Sequence, residues 1–135
     1  MNHAPIESAL PGIYFRDLRF SEPLPFNSAI TIPTQGIYAI LIRDEGYTPR
    51  PFQILYFGES DRLARRVNTQ HESREEWVRQ ARGADLFVAF YNTAGTPGRL
   101  RKELAKQLIQ DYNPPCNQRT SDSIGSVQLK PILGS

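Results

Sequence analysis

The stretch that decides the fold runs from Gly36 to Gly58, GIYAILIRDEGYTPRPFQILYFG. Its opening, Gly36–Arg43, is an apolar run of strand length built from β-forming residues. Residues 44–51 (DEGYTPRP) then interrupt it with Asp, Gly and Pro, the residue types that make turns. Residues 52–57 (FQILYF) form a second apolar run. Two such runs joined this way predict an antiparallel hairpin whose connection exceeds the two-residue minimum.

Downstream of the hairpin, Glu59-Ser60-Asp61 offers N-cap chemistry for a short helix over 61–68. Ser73 and Glu76 have the spacing of a capping box, opening a helix over 74–82 that Gly83 ends. Residues 85–91 (DLFVAFY) read as a third strand, apolar throughout and therefore central. Thr96-Pro97 places a capping residue before a proline at the first helical position of a helix over 97–112. Leu100, Leu104 and Leu108 recur there at i, i+4, i+8, and Ile109 widens the stripe. Asn113-Pro114-Pro115 stops it.

Upstream, residues 1–35 carry Pro5, Pro11, Pro23, Pro25 and Pro33 and show no helical period. They read as an extended arm with short strands at Ile13–Phe15 and Leu18–Phe20, suited to covering a sheet edge. Residues 118–135 read as a tail packed on or extending the domain, with a short strand over 126–129. The expected architecture is an α+β domain over 36–117, a three-stranded antiparallel sheet flanked by helices, with the arm before it and the tail after it.

A length of 135 residues suits one domain, and 39% hydrophobic against 22% charged residues excludes wholesale disorder. No stretch approaches the roughly 18 apolar residues of a membrane span, and the first residues lack the basic and apolar regions of a signal peptide. A cytoplasmic protein without a membrane partner is the expectation. The single cysteine, Cys116, excludes an internal disulfide and a Cys-rich zinc site, and nothing beside it makes it a nucleophile. The net charge of +2 is too small for binding nucleic acid by overall charge, so an anion site has to come from local clustering.

The candidate chemistry lies in two tyrosine tripeptides, Gly36-Ile37-Tyr38 and Tyr56-Phe57-Gly58, which end on the two hairpin strands. Arg62, Arg65 and Arg66 follow, then His71, the last helix, and Asn113-Pro114-Pro115-Cys116-Asn117. In this order the chain resembles the GIY-YIG nuclease superfamily over about residues 36–117. Gly12-Ile13-Tyr14 repeats the first tripeptide but has no partner at hairpin distance.

The resemblance implies an endonuclease that hydrolyses nucleic-acid phosphodiesters with Mg²⁺ or Mn²⁺. Tyr38 and Tyr56 would orient or deprotonate the attacking water. A phenol titrates near 10, so that role needs a cation beside it. Arg66, ten residues after Tyr56 (56 + 10), would grip the scissile phosphate, with Arg62 at i, i+4 on the same helix face assisting and Arg65 pointing elsewhere. His71 would polarise a phosphate-linked group. Gly58 and Asn117 would lie against the substrate phosphate.

The metal-binding glutamate of that family stands three residues before the Leu-Ile pair and twelve before the asparagine. Here both counts (108 − 3 and 117 − 12) reach Ala105, which cannot ligate a cation. Glu59 and Glu103 are the substitute carboxylates, although Glu103 lies about 200° around the helix from Ala105. The sequence therefore leaves three functions open: a metal-dependent nuclease, a catalytically degenerate nucleic-acid-binding module, and a protein-interaction module. It also leaves a homo-oligomer open. Trp77 reads as core rather than as a base-stacking platform.

Overall fold

The computed structural model describes residues 12–26, 32–46 and 51–117. The tail over 118–135, its strand over 126–129, and residues 1–11 of the arm lie outside the described residues. In chain order the elements are β1 (Ile13–Phe15), β2 (Leu18–Phe20), β3 (Leu24–Pro25), β4 (Gly36–Arg43), β5 (Phe52–Ser60), α1 (Leu63–Arg66), α2 (Arg74–Ala81), β6 (Leu86–Asn92) and α3 (Gly98–Tyr112).

The class is α+β with antiparallel pairing, but the main sheet has four strands, in the order β3-β6-β4-β5, and β1-β2 form a separate two-stranded sheet. The three-stranded expectation missed β3, where Leu24 pairs with Val88 and Pro25 with Phe87. Its prolines argue against a strand only in a sheet interior; at an edge the missing N–H is tolerated. β6 is interior, as its unbroken apolar character requires.

Strand β4 is the centre of the molecule. Alternate residues serve two cores: Ile37, Ala39 and Leu41 face one, and Tyr38 and Ile40 the other. The first core collects the β1-β2 hairpin and α3 through Phe15, Phe20, Phe57 and Leu108. Phe15 meets Phe57 and Tyr112 edge-on at 5.1 and 5.4 Å, which ties the hairpin to β5 and α3. The second core lies under α1 and α2 around Leu63 and Trp77, both fully buried.

Several local expectations shift for identifiable reasons. β5 runs three residues beyond Phe57, because Gly58, Glu59 and Ser60 continue the ladder opposite Tyr38, Ile37 and Gly36. Ladder bonds outweigh the capping chemistry of Glu59-Ser60-Asp61, and α1 shrinks to one turn. Ser73 precedes α2 but forms no side-chain cap, since its backbone is not in the extended conformation a cap needs. Pro97 rather than Thr96 precedes α3, again without a side-chain cap.

On α3 the buried positions are Arg101, Ala105 and Leu108, while Leu100 is exposed. Residues spaced by four drift about 40° per step around a helix, so a run at i, i+4, i+8 spirals off the contact face. Leu104, Leu108 and Ile109 do pack against the first core, and Leu100 alone of the expected stripe spirals off it, its place being taken by Arg101.

Candidate functional site

Register builds the site. Tyr38 stands opposite Gly58 across the β4-β5 ladder, and Tyr56 stands opposite Ile40, so both tyrosines share a sheet face. Their ring centroids are 6.0 Å apart. A Cβ on Gly58 would fall 2.3 Å from Tyr38 Cζ, so the tripeptide ends in glycine because the Tyr38 ring lies across that position. Gly36 is glycine for a similar reason: a Cβ there would meet the Tyr91 carbonyl oxygen at 2.2 Å. Gly58 thus shapes the cavity wall and leaves room for the Tyr38 ring.

His71 is buried and anchored twice. Its Nδ1 accepts from the Ser73 N–H at 3.0 Å, and its Nε2 lies 2.7 Å from Tyr38 Oη. With Nδ1 accepting, the neutral ring carries its proton on Nε2 and donates it to Tyr38. Trp77 packs on the imidazole, with centroids 4.5 Å apart. Burial, then the nearby Arg66 charge, lowers the His71 pKa to about 4. At neutral pH the His71 ring is therefore uncharged, with its Nε2–H directed at Tyr38.

Both phenols are held above their ordinary range. For Tyr38 the causes are burial and then the adjoining Tyr56; Arg66 opposes the shift and does not overcome it. Burial also dominates for Tyr56, while hydrogen bonds from Tyr38 and Ser73 partly offset it. Both tyrosines stay protonated at neutral pH, so the expected role in deprotonating water does not fit them as they stand. Tyr38 directs its one O–H at Tyr56, which leaves the Tyr56 hydroxyl as the O–H able to donate to an anion.

Arg66, on the last turn of α1, lies close enough to both phenols to act on their ionisation. Its guanidinium forks onto Glu72 with two bonds of 2.6 and 2.7 Å. That fork holds the Glu72 carboxyl down at about 2. Arg62 does not join it: as the residue before the helix (φ −143, ψ 75) it accepts the Arg66 N–H on its carbonyl at 3.2 Å, but its side chain is exposed and outside the cavity lining.

Tyr38, Tyr56 and Arg66 form one wall of a cavity of about 520 Å³ at the edge of β5, within the usual size of a ligand site. Lys102, Ala105 and Lys106 of α3 form the facing wall. Gly58, Glu59 and Asn117 lie along the strand between them. Asn117 is spent on structure: its Oδ1 accepts from the Phe57 N–H at 2.7 Å and its Nδ2 donates to the Phe57 carbonyl at 2.8 Å. Pairing like an extra strand, it closes the ladder groups that edge strand β5 leaves open there.

The residues present do not fit a catalytic cation. Ala105 reaches the cavity but offers no donor. Glu59 also reaches it, with Oε1 2.7 Å from Arg101 Nε and Oε2 3.3 Å from Lys102 Nζ. Arg101 is 5% exposed. Removing the partner of a buried ion costs about 3–5 kcal/mol, so Glu59 is held to Arg101. Glu103 is outside the lining and bonds Gln107 at 3.3 Å. Among the described residues no group of three or more His, Cys, Asp or Glu side chains could hold a metal ion.

Sequence reasoning missed Glu72, Arg101, Lys102 and Lys106. Glu72 is invisible without the tertiary turn that brings it to Arg66. Lys102 and Arg101 were within reach, because they lie three and four residues before Ala105 and share its helix face.

Fold and site together define an α+β domain with a tyrosine–arginine cavity at a sheet edge, faced by lysines. Comparison with protein-family models, curated proteins and solved structures finds no match to the chain. No helix among the described residues is long and apolar enough to cross a membrane.

Proposed function

We infer that this chain is a GIY-YIG-like domain that binds nucleic-acid phosphodiesters in the Tyr38–Arg66 cavity without metal-dependent cleavage. The observation that carries the reading is the convergence of the Arg66 guanidinium and the Tyr56 hydroxyl, backed by Tyr38, on a single cavity. A guanidinium fork and O–H donors are the groups that bind phosphate oxygens.

The Glu72 contact does not close the site. The Arg66 and Glu72 side chains are 36% and 69% exposed, and an ion pair of that kind contributes at most about 1 kcal/mol. Charge-assisted bonds to a phosphate in the cavity are worth about 1.5–3 kcal/mol each, so a phosphodiester outcompetes the carboxylate. Cleavage is a different matter. With both phenols protonated and no carboxylate free, the site lacks a base and a cation ligand.

The test is fluorescence anisotropy of a labelled oligonucleotide titrated with the full chain across a KCl series. Binding that weakens steeply with salt, and roughly tenfold further in Arg66→Ala, is the expected result. Absence of binding at low salt, or equal affinity in Arg66→Ala, overturns the reading.

A further inference from the structure

We propose that Lys106, assisted by Lys102, supplies from α3 the positive charge at the bound phosphate that a metal ion supplies in the nucleases this chain resembles, making the cavity a metal-free anion site. The inference rests on the phosphate-binding reading above and adds which groups replace the cation.

Besides the two phenols, four ionisable side chains line the cavity: Glu59, Arg66, Lys102 and Lys106. Glu59 is neutralised from behind by buried Arg101 and from the side by Lys102. Arg66 is matched by Glu72. Lys106 has no ion-pair partner among the described residues, so its charge is not consumed within the fold. It adjoins Ala105 in sequence and lines the same wall, which places an uncompensated ammonium beside the position where a metal-binding carboxylate is expected. Lys102 reaches the same wall one helical turn earlier, and only one oxygen of Glu59, at 3.3 Å, holds it.

An ammonium is a compact point charge on a flexible stem, suited to a phosphate oxygen that Arg66 grips from the opposite wall. The same two lysines would repel a divalent cation, so the loss of the carboxylate and the presence of lysine act in one direction. The ligand class is a phosphate anion, bound with no covalent step.

The experiment titrates inorganic phosphate into the full chain with EDTA present, following backbone and Arg66 Nε resonances by NMR, for wild type, Lys106→Ala and Lys106→Arg. Lys106 is exposed, so neither variant threatens folding. Saturable shifts at Gly58 and Arg66 in EDTA, weakened about five- to tenfold in Lys106→Ala and kept within twofold in Lys106→Arg, are expected. With a labelled oligonucleotide, Lys106→Ala should lower the log–log salt slope by about 0.7–0.9. Unchanged phosphate affinity in Lys106→Ala, or binding that appears only when Mg²⁺ or Mn²⁺ replaces EDTA, overturns the proposal. Lys106-dependent phosphate binding without oligonucleotide binding leaves this proposal standing and removes the nucleic-acid reading. If neither probe binds, both fall.

Discussion

Replacing Gly58 with alanine probes the site and the fold together. The new Cβ would lie 2.3 Å from Tyr38 Cζ, 2.4 Å from its hydroxyl oxygen and 2.7 Å from Cε1. Comfortable contact between such atoms is about 3.5–4.0 Å, so the ring has to retreat by roughly 1 Å or more. Tyr38 is 0% exposed, with Tyr56 beside it and His71 bonded to its hydroxyl at 2.7 Å, so the ring can retreat only by giving up that packing and that bond. Overpacking of this kind costs about 1–3 kcal/mol, and losing the His71 bond adds about 1 kcal/mol. A total of about 2–4 kcal/mol corresponds, at about 4 °C per kcal/mol for a domain of this size, to a Tm lowered by about 8–16 °C. Urea and thermal melts measure both quantities. The same substitution in a Tyr38→Ala background should cost less than about 0.5 kcal/mol, giving an interaction energy of about 2–3 kcal/mol. A Gly58→Ala protein within about 0.5 kcal/mol of wild type, or one equally destabilised in both backgrounds, would refute the placement of the Tyr38 ring.

Asn117→Ala removes both bonds to the Phe57 backbone inside a buried contact and should cost about 1–3 kcal/mol, with faster hydrogen exchange at the Phe57 amide; an unchanged exchange rate would contradict the strand-like pairing. Glu72→Gln frees Arg66 at little cost in stability and should tighten phosphodiester binding several-fold in anisotropy titrations, whereas equal affinity would show that Glu72 does not compete for the fork. His71 has a folded-state pKa of about 4, below the unfolded value near 6.5, so its neutral form is the one the fold favours. Its contribution is fully present above about pH 6.5 and is lost as pH falls from there toward 4. Tm measured against pH should decline over that window, and a His71→Gln chain should show a flatter profile there.

What the sequence made legible is what short-range pattern encodes. The apolar runs Gly36–Arg43 and Leu86–Asn92 specify buried strands wherever they sit, and the spacing of Tyr38, Tyr56 and Arg66 brings them to one cavity. What escaped depends on tertiary placement. β3 is two residues long, and nothing local distinguishes it from the extended chain around it. Arg62 failed because Leu63, fully buried and with its N–H bonded to the Thr34 carbonyl, fixes where α1 can begin. Asn117 and Glu72 carry polar groups whose partners are chosen by the fold. A motif can name such residues without saying whether their hydrogen bonds are already spent. Ala105 shows the converse: it is named by counting along the sequence, while its place in the cavity and the charges around it are set by the packing of α3.

The most direct test of the central claim places one labelled oligonucleotide with the full chain in EDTA, in MgCl₂ and in MnCl₂, reading bound fraction and strand length from the same samples. A cavity that holds phosphate with Arg66 and lysines predicts bound, intact oligonucleotide under all three conditions. Strand cleavage that needs Mg²⁺ or Mn²⁺ and disappears in Tyr38→Phe or Arg66→Ala would contradict it.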